Sequence, residues 1–92
     1  LCALRFSDID EVIHRANSTT FGLSSAVWTR DIKKAHYLAN KIKAGTVWIN
    51  CYYGLDMGAP FGGYKMSGIG RELGEEGILA YTELKTVAVS LA

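Results

Sequence analysis

The sequence predicts an α/β fold of parallel strands joined by crossover helices, and three observations carry that expectation. Strand-like apolar runs alternate with segments of 3.6-residue apolar periodicity over the first fifty residues. The connections between them are short, which favours a parallel sheet with right-handed crossovers, half of a doubly wound domain. The bulky run Thr46-Val47-Trp48-Ile49-Asn50 follows directly on the second helical pattern and contains no proline.

Leu1-Cys2-Ala3-Leu4-Arg5-Phe6 is apolar and strand-like, with Cys2 as a small core residue. Ser7 is a plausible N-cap with Asp10 three residues on, and Ile9, Val12, Ile13 and Ala16 share one helical face, so residues 7–17 are expected to be an amphipathic helix. Turn chemistry from Asn17 to Gly22 leads into a strand at 23–29. Thr29 or Asp31 can cap a second helix whose apolar stripe is Ile32, Ala35, Leu38, Ala39 and Ile42, with Lys41 and Lys43 suiting its negative end. Gly45 is the expected C′ residue of that helix, and a strand at 46–50 follows.

Residues 51–77 then hold eight of the ten glycines and the only proline. A connection this long inside a compact domain is usually functional, and Tyr52, Tyr53, Leu55, Met57, Phe61 and Tyr64 argue against disorder. Finally, Leu84-Lys85-Thr86-Val87-Ala88-Val89-Ser90-Leu91 alternates with period two, as an exposed edge strand would. With an apolar run at position 1 and an uncapped strand pattern at the far end, the chain is expected to be a C-terminal piece of a larger protein.

Composition narrows the function. The 92 residues allow one domain, 49% are hydrophobic and 21% charged, and a net charge of +1 supplies no field to steer a phosphate backbone. Nucleic acid is therefore not expected as a partner. No apolar run nears the roughly 20 residues of a spanning helix, so no membrane partner is expected either. Two cysteines are far from a disulfide scaffold, and a soluble, intracellular protein with reduced thiols is the expectation.

Among motifs, Gly68-Ile69-Gly70-Arg71-Glu72-Leu73-Gly74 has G-x-G-x-x-x-G spacing, one residue longer than the dinucleotide fingerprint and not preceded by a strand. Tight turns and close chain approach account for its glycines without a phosphate. Cys51 ends a predicted parallel strand, where α/β sheets place ligands, but neither His14 nor His36 falls at a position facing that end. No Cys or His pair has zinc-ligand spacing, and no metal is expected. Trp28 and Trp48 fit core or interface packing, and Arg71 is a candidate partner for Glu83 across one short helical stretch.

The stretch from Pro60 to Gly74, Pro-Phe-Gly-Gly-Tyr-Lys-Met-Ser-Gly-Ile-Gly-Arg-Glu-Leu-Gly, closely resembles the C-terminal segment of the NAD(P)-dependent aldehyde dehydrogenase superfamily. It is preceded by Ala44-Gly45-Thr46-Val47-Trp48-Ile49-Asn50 and followed by Tyr81-Thr82-Glu83-Leu84-Lys85-Thr86-Val87, which resemble the same segment in register. Ala16-Asn17, Phe21-Gly22-Leu23 and Val27-Trp28-Thr29-Arg30-Asp31 extend the likeness over nearly the whole chain. The wording is most similar to the tetrameric class that includes the mitochondrial, retinal and betaine-aldehyde-type enzymes.

The resemblance implies a parent enzyme that oxidises an aldehyde to a carboxylic acid with NAD or NADP through a cysteine thiohemiacetal and thioester. It places the nucleophile, the general base and the coenzyme domain before Leu1, so the 92 residues alone are expected to be inactive, to bind no coenzyme and to work in the cytoplasm or mitochondrial matrix as part of the parent. Within them it implies that Leu55 and Phe61 line the substrate tunnel, Leu55 departing from a frequently aromatic position. It further implies a supporting role for Glu72 in ordering water or relaying protons, and an Arg71–Glu83 ion pair. On this reading residues 1–70 are the C-terminal portion of the catalytic domain and 71–92 a short helix and an oligomerisation strand, in a homo-oligomer, a dimer or tetramer. Two rival expectations are a self-standing module that binds related subunits through strand 84–91, and a small enzyme using Cys51 as its own nucleophile.

Overall fold

Two parallel strands and the helix that joins them form the centre of the computed structural model, which describes residues 1–92. Strand β2 (Ser24–Val27) pairs with β3 (Thr46–Ile49) in the register Ser24↔Thr46 to Val27↔Ile49. Between them runs α2 (Ile32–Lys41), whose N-cap is Asp31: its carboxylate accepts from the backbone N–H of Lys33 and of Lys34, at 3.0 and 3.1 Å. That satisfies two of the donors a helix start leaves unpaired. The apolar stripe of α2 turns inward, burying Ala35 and Leu38, and Trp48 of β3 completes the core.

Ahead of this unit lies α1 (Ile9–Asn17). Its cap is Asp8, accepting from Glu11 N–H at 3.1 Å, one residue later than the expected Ser7. Ser7 is still used, its N–H facing the Glu11 carboxylate at 3.4 Å. Helices α1 and α2 are tied by the Tyr37 hydroxyl, which donates to Asp10 at 2.8 Å. That hydrogen bond, reinforced by the charge of the same carboxylate, holds the Tyr37 pKa above the ordinary tyrosine value. A second, two-residue antiparallel pair joins β1 (Phe21–Gly22) to β4 (Tyr64–Lys65), and the six-residue α3 (Gly74–Leu79) follows.

Four expectations are corrected. Leu1–Phe6 and Leu84–Leu91 are not strands: neither has a ladder partner, and all of their residues are exposed, Cys2 included. A strand's backbone groups bond to a neighbour, so period-two alternation without one leaves extended chain. The molecule is accordingly long, 71 Å on its largest axis, with a radius of gyration of 18.5 Å against about 12 Å for a compact domain of this length. The parallel sheet thus has two strands and one crossover, an α/β unit smaller than the expected half-domain.

The third correction concerns Gly45. Helix α2 stops at Lys41 with Ile42 as its C-cap in extended conformation, so Gly45 caps nothing. Its N–H donates to Gly22 O at 3.0 Å, and a Cβ there would collide with the Gly62 carbonyl oxygen. The glycine is needed for close approach of the Gly-rich loop to the start of β3. Fourth, Arg71 and Glu83 are not ion-paired; the only ion pair is Arg15–Glu11 at 2.9 Å. No helix is long and apolar enough to cross a membrane.

Candidate functional site

The parallel pair delivers its chain to the site at its carboxyl end. Asn50, the residue after β3, exchanges two hydrogen bonds with Thr29 just beyond β2: Thr29 N–H to Asn50 Oδ1 at 2.8 Å and Asn50 Nδ2 to Thr29 O at 2.9 Å. With φ +56° at Asn50 and +58° at Tyr53, the chain turns back on itself. The turn brings the rings of Tyr52 and Tyr53 over Trp48, at centroid distances of 5.1 and 5.9 Å, and stacks Tyr52 on Trp28 at 6.4 Å. Trp48 Nε1–H donates to Gly54 O at 3.0 Å, pinning the loop to the core.

Trp48, Tyr52 and Tyr53 wall a recess of about 120 Å³ whose other apolar members are Leu23, Leu55 and Phe61, with Ser24 the single non-hydrophobic residue. Leu55 and Phe61, six residues apart in a glycine-containing loop, therefore share one cavity. Phe61 is held by its backbone. Its N–H donates to Glu72 O and its carbonyl accepts from Glu72 N–H, both at 2.7 Å, an isolated antiparallel bridge. Across that bridge lies a second recess of about 290 Å³, lined by Phe61 and Leu23 together with Arg71, Glu72 and the glycines 62, 63, 68 and 70. Phe61 and Leu23 are thus common to both recesses, with Leu55 and the aromatics on one side and the exposed Glu72 on the other.

Arg71 organises the second recess. Its guanidinium donates to Gly63 O at 3.0 Å and Gly70 O at 2.7 Å, and lies 5.7 Å from the centre of the Tyr64 ring. These carbonyls, together with the aromatic face, take the place of the expected carboxylate of Glu83. Gly68 and Gly70 adopt φ +124° and +83°, the turn geometry that glycine permits. Their loop does not suit a dinucleotide phosphate: Gly68 N–H already faces Lys65 O and Gly74 N–H bonds Met57 O at 3.0 Å. Moreover α3 starts from a loop, without a preceding strand.

Cys51 is exposed and hydrogen-bonded to neither histidine of this chain. Sequence reasoning missed Tyr52, Tyr53 and Trp48 as cavity walls. The signal was present in the density of aromatics just after the strand, but only the Asn50 turn folds them onto it.

A profile of the aldehyde dehydrogenase family matches residues 1–87. Human mitochondrial aldehyde dehydrogenase is 58% identical over 88 residues, 96% of this chain and 17% of that protein. Among solved structures, the NAD+ complex of aldehyde dehydrogenase from Bacillus cereus superposes with a TM-score of 0.92 at 55% identity, covering 97% of this chain and 18% of the other. Betaine aldehyde dehydrogenase from Staphylococcus aureus in complex with NAD+ gives 0.80 at 53% identity, covering 83% and 15%. The chain spans about 17% of the length of the curated relatives it matches. Its match over 87 residues, in sequence and in fold, makes it a member of the aldehyde dehydrogenase family.

Proposed function

We propose that these residues are the C-terminal part of an NAD(P)-dependent aldehyde dehydrogenase that converts an aldehyde to a carboxylic acid. In that enzyme residues 1–70 complete the catalytic domain and residues 71–92 carry the short helix and the assembly arm. The observation that carries the reading is Phe61 standing between the two recesses, with Leu55 beside it in the apolar one and Glu72 in the polar one. An apolar recess that adjoins a carboxylate across one phenyl ring can steer the carbon chain of an aldehyde on one side and order water on the other.

Leu55 and Phe61 line the substrate channel. Glu72, exposed and free of hydrogen bonds through its carboxylate, can accept from a water or take up a proton. Thiol, general base and coenzyme belong to the rest of the parent, and the nicotinamide coenzyme supplies the hydride acceptor when bound there. Relatives found in mitochondria favour an intracellular setting, in the matrix or cytoplasm. The unpaired arm Leu84–Leu91, with Leu84, Val87, Val89 and Leu91 at least three-quarters exposed, favours assembly into a dimer or tetramer, in which a neighbouring subunit offers the strand it lacks.

The test has two parts. The purified 92-residue chain should form no NADH or NADPH with any aldehyde, and measurable formation overturns the reading. In the full-length enzyme that carries this segment, Leu55→Trp should cut kcat/KM for bulky aldehydes by roughly 10- to 100-fold while sparing short ones.

A further inference from the structure

Lys65 belongs to none of the roles assigned so far, yet its geometry is unusual. It lies in β4, within the segment that runs from Phe61 to Glu72, and its backbone holds φ +53°, a left-handed conformation that long side chains adopt rarely. From there its ammonium reaches α1 and donates to Asn17 O and to Thr19 O, both at 2.9 Å. These carbonyls stand at the C-terminal end of the helix, where backbone acceptors lack intrahelical partners and the helix dipole is negative.

The same point gathers other chain ends. Asn17 donates from Nδ2 to Lys41 O, the last residue of α2, at 2.9 Å and accepts from Lys43 N–H at 2.7 Å. Met66 N–H donates to Thr20 O at 3.0 Å, and Ser67 Oγ accepts from Gly22 N–H at 2.9 Å. The C-termini of both long helices therefore meet at Asn17, whose carbonyl also holds the segment that bears Phe61 and Glu72. The β1–β4 ladder is only two residues long, too short to fix that segment by itself.

We propose that Lys65 is a positioning residue for the substrate-facing pair Phe61 and Glu72: its ammonium docks their connecting segment onto the end of α1 and so sets where Phe61 stands between the two recesses. The unfavourable backbone of Lys65 is what that reach demands, since a strained residue persists where its surroundings hold it. The proposal deepens the aldehyde dehydrogenase reading and rests on it for its kinetic consequence.

The experiment compares Lys65→Met, Lys65→Gly and Lys65→Arg in the full-length enzyme, with amide hydrogen exchange at Phe61 and Glu72 and steady-state kinetics over a series of straight-chain aldehydes. Lys65→Met should speed exchange at both amides about tenfold and lower kcat/KM about tenfold, chiefly through KM and most for the longest aldehydes. Lys65→Gly frees the backbone of its strain and decides the matter if the methionine variant fails to fold; it should show the same losses. Lys65→Arg, which keeps the cation, should restore both readouts. Wild-type exchange in the methionine or glycine variant, or an arginine variant as impaired as methionine, overturns the role of Lys65. If the unaltered enzyme forms no NADH or NADPH from aldehydes, the functional reading falls, and the exchange data still decide the positioning role.

Discussion

The centre of the molecule and its two arms are built from the same kind of sequence and end in different states. Between Ser24 and Ile49 apolar residues meet a partner strand and a crossover helix, and Ala35, Leu38 and Trp48 become buried. In residues 1–6 and 84–91 comparably apolar stretches meet no partner strand, and every residue is exposed. A helix satisfies its backbone within one segment, whereas a strand is a property of two. The arms show what a strand pattern becomes with no second segment beside it.

The largest break in this contrast should come at Trp48. Replacing it with Ala removes the main side chain of the core and the hydrogen bond to Gly54, and should cost about 3–5 kcal/mol, read as a fall in the urea midpoint or as outright loss of the cooperative transition. A smaller effect is expected from Gly45→Ala, whose new Cβ meets the Gly62 carbonyl. The Gly-rich loop must move, at a cost of roughly 1–3 kcal/mol, and thermal denaturation should show it. Smallest of all, deleting residues 84–92 should leave stability within about 0.5 kcal/mol. A loss as large as that of Trp48→Ala would mean that the arm already has a partner in solution, and would erase the contrast.

How far the fold was legible follows the same line. Asp31 was one of two candidate caps, the stripe from Ile32 to Ile42 indicated a helix, and Thr46–Ile49 became a strand within one residue of expectation, because each depends on neighbours in sequence. Asp8 displaced Ser7 by a single position, a choice decided by which side chain reaches Glu11 N–H. Gly45 was legible as a required glycine but not in its purpose, since its constraint comes from Gly62, seventeen residues away. The site divides similarly. The family likeness marked Leu55, Phe61 and Glu72, and the chain brings Phe61 against both of the others. The Arg71–Glu83 pairing did not form: nearer carbonyls compete for the guanidinium, and Glu83 is exposed beyond the end of α3.

The aromatic turn after β3 has a consequence for light. Trp28, Tyr52, Trp48 and Tyr53 form a chain of rings whose neighbouring centroids lie 4.9 to 6.4 Å apart, close enough for their electronic transitions to couple. Trp48 is 7% exposed and Trp28 64%, so the two indoles emit from different surroundings, one dry and one wet. The wall of the apolar recess therefore carries its own chromophores, and an occupant displacing Tyr52 or Tyr53 would change near-ultraviolet dichroism and tryptophan emission without any attached label.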